Sequence, residues 1–96
     1  MDKFELGQIV ATWSVEHLMK VEPDFHTFVM NALERFKKCD WGDSSAGDKA
    51  QNDNAVKNGD DRVMAAYIHP DYPLWKIWII TEYDRSATTI LFPSEY

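Results

Sequence analysis

The chain has 96 residues, 45% of them hydrophobic and 14% aromatic, and carries 16 acids against 10 Lys and Arg for a formal net charge of −6. That apolar content argues against a disordered chain, and a single domain is expected over these 96 residues, since two half-sized cores could not bury enough surface to hold together. The acidic balance repels phosphate and argues against direct nucleic-acid binding. The absence of any run of roughly 18 apolar residues argues against a membrane span.

In chain order, LGQIVATW (residues 6–13) is short, rich in β-branched residues and opened by Gly7, which predicts a first strand. Thr12 or Ser14 then caps a short helix with Val15, Leu18 and Met19 on one face. Pro23 suits the first position of a second helix. Its apolar residues Phe25, Phe28, Val29, Ala32, Leu33 and Phe36 recur at steps of three and four, and Arg35, Lys37 and Lys38 favour its C-terminal dipole. This is the strongest periodic signal in the chain and predicts the main core face.

CDWGDSS breaks that helix at Gly42, with Trp41 read as pinning the loop to the core through an N–H to carbonyl bond. Ser45 and Asp48 form a capping-box pattern opening a third helix to about Asn58, where Gly59 is placed to end it in the left-handed conformation. Its few, small apolar residues predict a peripheral element that opens easily. Beyond Arg62 the texture becomes that of strands: RVMAAYIH, then a turn at HPDYP, then WKIWIITEY, then ATTILF. Centring the last hairpin on Arg85 pairs Ile80 with Ile90, Thr81 with Thr89, Ile79 with Leu91 and Trp78 with Phe92.

The sum is a single α+β domain over residues 1–96. It is a three- to four-stranded, mainly antiparallel sheet with two or three helices on one face, in β-α-α-α-β-β-β order.

GQIVAT, DWGD, the helical DKAQNDNAVKNG and the closing WIITEYDRSATTILFPSEY together resemble a widespread bacterial family of small uncharacterised proteins often carried on plasmids and other mobile elements. The likeness runs through nearly the whole chain. It implies kinship rather than chemistry, because no activity is established for that family. Two departures stand out: Trp13 replaces the Pro that similar chains have after the capping Thr, and HPDYPLWK replaces a short Gly-containing turn. Both are expected to expose an aromatic side chain, Trp13 and Tyr72.

Candidate chemistry concentrates in the last hairpin, where Glu82, Asp84, Arg85, Ser86 and Thr88 fill a turn without Gly, Asn or Pro. Such groups could hold an anion beside a carboxylate base. The ordinary alternative is a solvated turn in which Arg85 and its acidic neighbours pair across or under the hairpin. No catalytic residue is assigned, and no nucleophile elbow surrounds Ser86.

His17, His26, His69, Cys39 and the aspartates of DWGD lack metal-ligand spacing, and the scattered glycines form no phosphate loop or dinucleotide fingerprint, so neither metal nor cofactor is indicated. A lone cysteine and an opening MDKFELG without a secretory pattern lead to the expectation of a cytoplasmic protein.

Residues 40–61 hold six acids and two bases, the densest part of the acidic surplus. Strands two and three are apolar on both faces, so a second layer is expected to cover Trp75, Trp78 and their neighbours: a protein partner, a second copy in a homodimer, or the small third helix. The expected function is therefore protein contact through Trp75, Trp78, Tyr72 and Trp41. The partner would be a basic nucleic-acid-processing or defence protein, and an anti-CRISPR or anti-restriction inhibitor is the boldest form of that expectation. A small enzyme or anion-binding protein centred on Arg85 is the alternative.

Overall fold

The computed structural model describes residues 3–96, so the first two residues of MDKFELG lie outside it. The chain order is β1 (Gln8–Ala11), α1 (Trp13–Val21), α2 (Pro23–Lys37), α3 (Ala46–Asn58), β2 (Val63–Ile68), β3 (Lys76–Thr81) and β4 (Ala87–Leu91), closed by a 3-10 turn at Pro93–Glu95. The sheet order is β1-β4-β3-β2, with β1 parallel to β4 and the other pairs antiparallel. The fold is the α+β arrangement expected, with the first strand on the sheet edge beside the last. No helix among the described residues is long and apolar enough to cross a membrane.

Local chemistry sets the helix ends. Thr12 caps α1 by accepting from Val15 N at 3.4 Å, Pro23 opens α2, Ser45 accepts from Asp48 N at 3.2 Å, and Gly59 ends α3 with φ 70°. Phe25, Val29, Ala32, Leu33 and Phe36 form the buried stripe of α2 and meet Val63, Ala65, Tyr67, Ile77, Ile79 and Ile90 of the sheet. Each large apolar side chain fully buried there contributes about 1.5–3 kcal/mol, which makes this layer the dominant stabilising contact. Past α2, Cys39 takes φ 64°, a conformation usually left to Gly. Burial pushes its thiol pKa up, away from a reactive thiolate.

The DWGD loop and α3 seal one edge of the sheet. Gly42 also has positive φ, and a Cβ there would run into the Tyr67 ring and Ala66 O. Trp41 is buried as expected, but its Nε1 donates to the Asp53 carboxylate of α3 at 2.8 Å and not to a carbonyl. The Asn52 amide donates to Met64 O at 2.7 Å and accepts from Met64 N at 3.2 Å, filling both ladder positions of Met64 on the β2 edge. Ser44 Oγ accepts from Ala66 N, Asp43 N donates to Ala66 O, and Asp43 Oδ2 accepts from Ile68 N. A free strand edge is a template for unwanted pairing, and here it is closed by side chains. The third helix is thus poor in apolar contact yet tied by polar bonds.

Two further expectations are corrected. The β3–β4 register is shifted by one residue: Trp78 faces Leu91, Ile79 faces Ile90, Ile80 faces Thr89 and Thr81 faces Thr88. The cause is Arg85, which adopts φ 61° and moves the turn centre off its own position. The second apolar face of the sheet also has cover within the chain. Ile80 and Leu91 are buried, and Trp78, half-buried, meets the Tyr96 ring edge-on at 5.4 Å, with Arg62 stacked over that ring at 5.5 Å. The C-terminal turn thus covers Trp78, where a protein partner, a second copy or the third helix was expected to do so.

Candidate interaction surface

The polar hairpin is occupied by its own structure. Arg85 N donates to Glu82 O at 2.9 Å, Glu82 N to Ala87 O at 3.0 Å, and Ser86 N to Asp84 Oδ1 at 3.0 Å. Hydrogen bonds from Ser86 hold the exposed Asp84 carboxyl below its usual range. The Arg85 guanidinium turns inward onto backbone carbonyls: Nη1 to Asp61 O at 2.5 Å, with longer bonds to Glu82 O and Tyr83 O, and Nη2 to Ala55 O of α3 at 2.9 Å. Its partners are carbonyls, where pairing with acidic neighbours was expected. They explain how a non-Gly residue is held in the left-handed region, at a cost of roughly 1–2 kcal/mol.

Thr88 is fully buried and donates to Leu6 O at 2.7 Å, which leaves Thr81 to donate to Thr88 at 2.7 Å. Glu82 and Asp84 face solvent. The candidate residues Glu82, Asp84, Arg85 and Thr88 are adjacent in the chain but converge on no common point.

The β2–β3 loop behaves differently. His69 N donates to Trp75 O at 2.9 Å and Trp75 N to Tyr72 O at 2.8 Å, closing a compact loop. His69 Nδ1 accepts from Asp71 N at 3.0 Å and Tyr72 N at 3.2 Å, so the neutral imidazole carries its proton on Nε2. Around that ring lie Phe28, Tyr72 and Trp75 at centroid distances of 5.3, 5.0 and 5.3 Å, and Trp75 stands edge-on to Phe25 at 5.4 Å. The loop is thereby rooted on α2 through aromatic contacts, each worth about 0.5–1.5 kcal/mol beyond burial.

Between this loop and α2 runs an open groove of about 600 Å³, lined among others by Asp24, Phe28, Asn31, Arg35, His69 and Tyr72. Arg35 is already paired: its Nε and Nη2 reach the two Asp40 oxygens at 2.8 and 3.2 Å, and its guanidinium lies over the Tyr67 ring at 5.3 Å. That bond pulls the Asp40 carboxyl below its usual range and pushes Arg35 up. Asp24 and Asp71 take part in no ion pair among the described residues. The lining therefore offers carboxylates and aromatic faces with its one guanidinium neutralised. Tyr72, part of this lining, is 53% exposed, and Leu74, two residues further along the loop, is 97% exposed.

Of the aromatic residues singled out in the sequence, Tyr72 and Trp75 meet at this loop, Trp78 lies under Tyr96, and Trp41 is in the core. Asp24, Phe28, His69 and Asp71 are not among the expected binding residues; the signal available in the sequence is HPDYPLWK, from which only Tyr72 and Trp75 are read as contact residues. No known protein family, curated protein or solved structure matches the chain.

Proposed function

We propose that this protein acts by contact with a basic protein, which it takes in the groove between α2 and the β2–β3 loop. The observation that carries this reading is the exposed Leu74, two residues along the loop from Tyr72, which itself lines an aromatic groove whose Asp24 and Asp71 take part in no ion pair among the described residues. Interface centres favour aromatic anchors, and a cation desolvated against ring faces and carboxylates gains more than one left in water. Nucleic-acid-processing proteins present Lys and Arg for phosphate, which makes them the partner class this chemistry suits. On a mobile element such binding would inhibit host defence, as an anti-CRISPR or anti-restriction protein does.

The test is affinity capture from lysate of the source cell, comparing the intact chain with a Tyr72→Ala/Leu74→Ser variant shown by its cooperative melting to remain folded. A basic protein retained by the first, lost with the second and released by salt supports the reading. Identical capture by both, or a captured partner indifferent to salt, refutes it.

A further inference from the structure

The two edges of the sheet are finished differently. On β2 the outward backbone groups of Met64, Ala66 and Ile68 are taken up by Asn52, Ser44 and Asp43. On β1, Gln8 N and Thr12 N donate into the β4 side at Ser86 O and Ile90 O, 3.1 and 3.0 Å. In a parallel ladder that phase turns the N–H and C=O of Ile9 and Ala11 outward. Among the described residues no side chain or loop caps them. Ile9 and Val10 are 42% and 39% exposed, and just past the strand Trp13 stands in solvent with only His17 stacked on it at 5.0 Å. Free edges are ordinarily blunted by Lys, Pro or a bulge, and QIVA has none of these.

We infer that β1 pairs antiparallel with β1 of a second copy about a two-fold axis at Val10, joining the two four-stranded sheets into one. The self-complementarity follows from which residues face outward. With the axis at Val10, Ile9 lies opposite Ala11 of the second copy and each such pair exchanges both N–H to O bonds. Val10 meets its own counterpart at the close, non-hydrogen-bonded position, as an apolar pair. An axis at Ile9 would set Gly7 opposite Ala11, and Gly7, with φ 64°, is turned out of the extended conformation.

Charge also selects this strand. The chain carries −6, so copies repel over most orientations, whereas β1 brings no charge to the axis. Because the β2 edge is closed, pairing stops at two copies and cannot run on into a filament. A strand this short, even with Trp13 added, covers less than the roughly 800 Å² per partner of a standard interface, so the expected dimer is a weak one that dissociates on dilution.

Sedimentation equilibrium of the intact chain tests the inference, with mass rising from 11.2 kDa toward twice that value as concentration increases. Ile9→Pro removes an N–H that β4 does not use, and Ile9→Lys sets a charge near the axis; each is expected to leave the fold intact and weaken association by about tenfold or more. In a Cys39→Ser background, Val10→Cys should cross-link under mild oxidation far faster than Gln8→Cys. A chain that stays monomeric at all concentrations overturns the inference, as does a dimer that both Ile9 variants leave unchanged, or equal cross-linking at the two positions.

Discussion

The β3–β4 turn and the β2–β3 loop both join neighbouring strands of one sheet, yet they direct their polar groups in opposite senses. In the turn, Arg85 points inward onto the carbonyls of Ala55 and Asp61, so the most chemically suggestive residues of the sequence fasten a helix end and a loop to a hairpin. In the loop, the imidazole of His69 organises the backbone from inside while Tyr72 and Leu74 stand outside it. A cluster of ionisable residues is therefore no guide to a site until the partners of each are known. The carboxylates of Asp24 and Asp71, which take part in no ion pair among the described residues, together with exposed apolar groups in the same loop are the more informative combination.

The sharpest way to break this contrast is at Gly7, where a Cβ would meet the backbone of Arg85 and Ser86 and where φ is 64°. If the turn is a structural lock, Gly7→Ala costs about 3 kcal/mol or more, and thermal or denaturant melting shows it. Arg85→Ala comes next. It strands carbonyls that a charged donor had satisfied, so a loss of about 2–3 kcal/mol is expected, while capture of a partner at the groove is retained. Arg85→Gly sheds the left-handed strain and should be less damaging than Arg85→Ala by about 1 kcal/mol.

A pH measurement addresses the floor of the fold beneath the groove. Burial first of all, and then the charge of Asp40, raise the Tyr67 hydroxyl above its ordinary pKa, and the hydroxyl donates to Asp40 O at 2.7 Å. A raised folded pKa means that the contribution is whole below the unfolded value of about 10 and is lost as pH climbs through the folded one. Melting temperature should fall above about pH 10, and less steeply in Tyr67→Phe. At the small end, Tyr72→Ala with Leu74→Ser should cost about 1 kcal/mol, through the lost contacts of the Tyr72 ring with His69 and Trp75, while abolishing partner capture.

The features legible in the sequence were those with local causes. Thr12, Pro23, Ser45 and Gly59 mark helix ends through bonds or φ angles within a few residues of themselves, and the apolar steps of α2 declare its buried stripe. The hairpin register was not legible, because what holds Arg85 at φ 61° is the end of α3 and Asp61, some 24 to 30 residues away along the chain. For the same reason the cover supplied by Tyr96 over Trp78 could not be read from strand patterns. The groove was half legible: HPDYPLWK announced exposed aromatic surface, but its pairing with Asp24 and Phe28 on α2 is a product of tertiary packing.

The seat of Trp41 has an optical consequence. Its indole is enclosed by Phe4 and Phe36, at centroid distances of 6.0 and 5.5 Å, and is bonded to Asp53 of α3, whereas Trp13 already lies in water. Detachment of that helix alone would wet one ring and leave the other unaffected. A red shift in intrinsic fluorescence that precedes the loss of sheet signal would then mark the moment at which the polar edge seal opens.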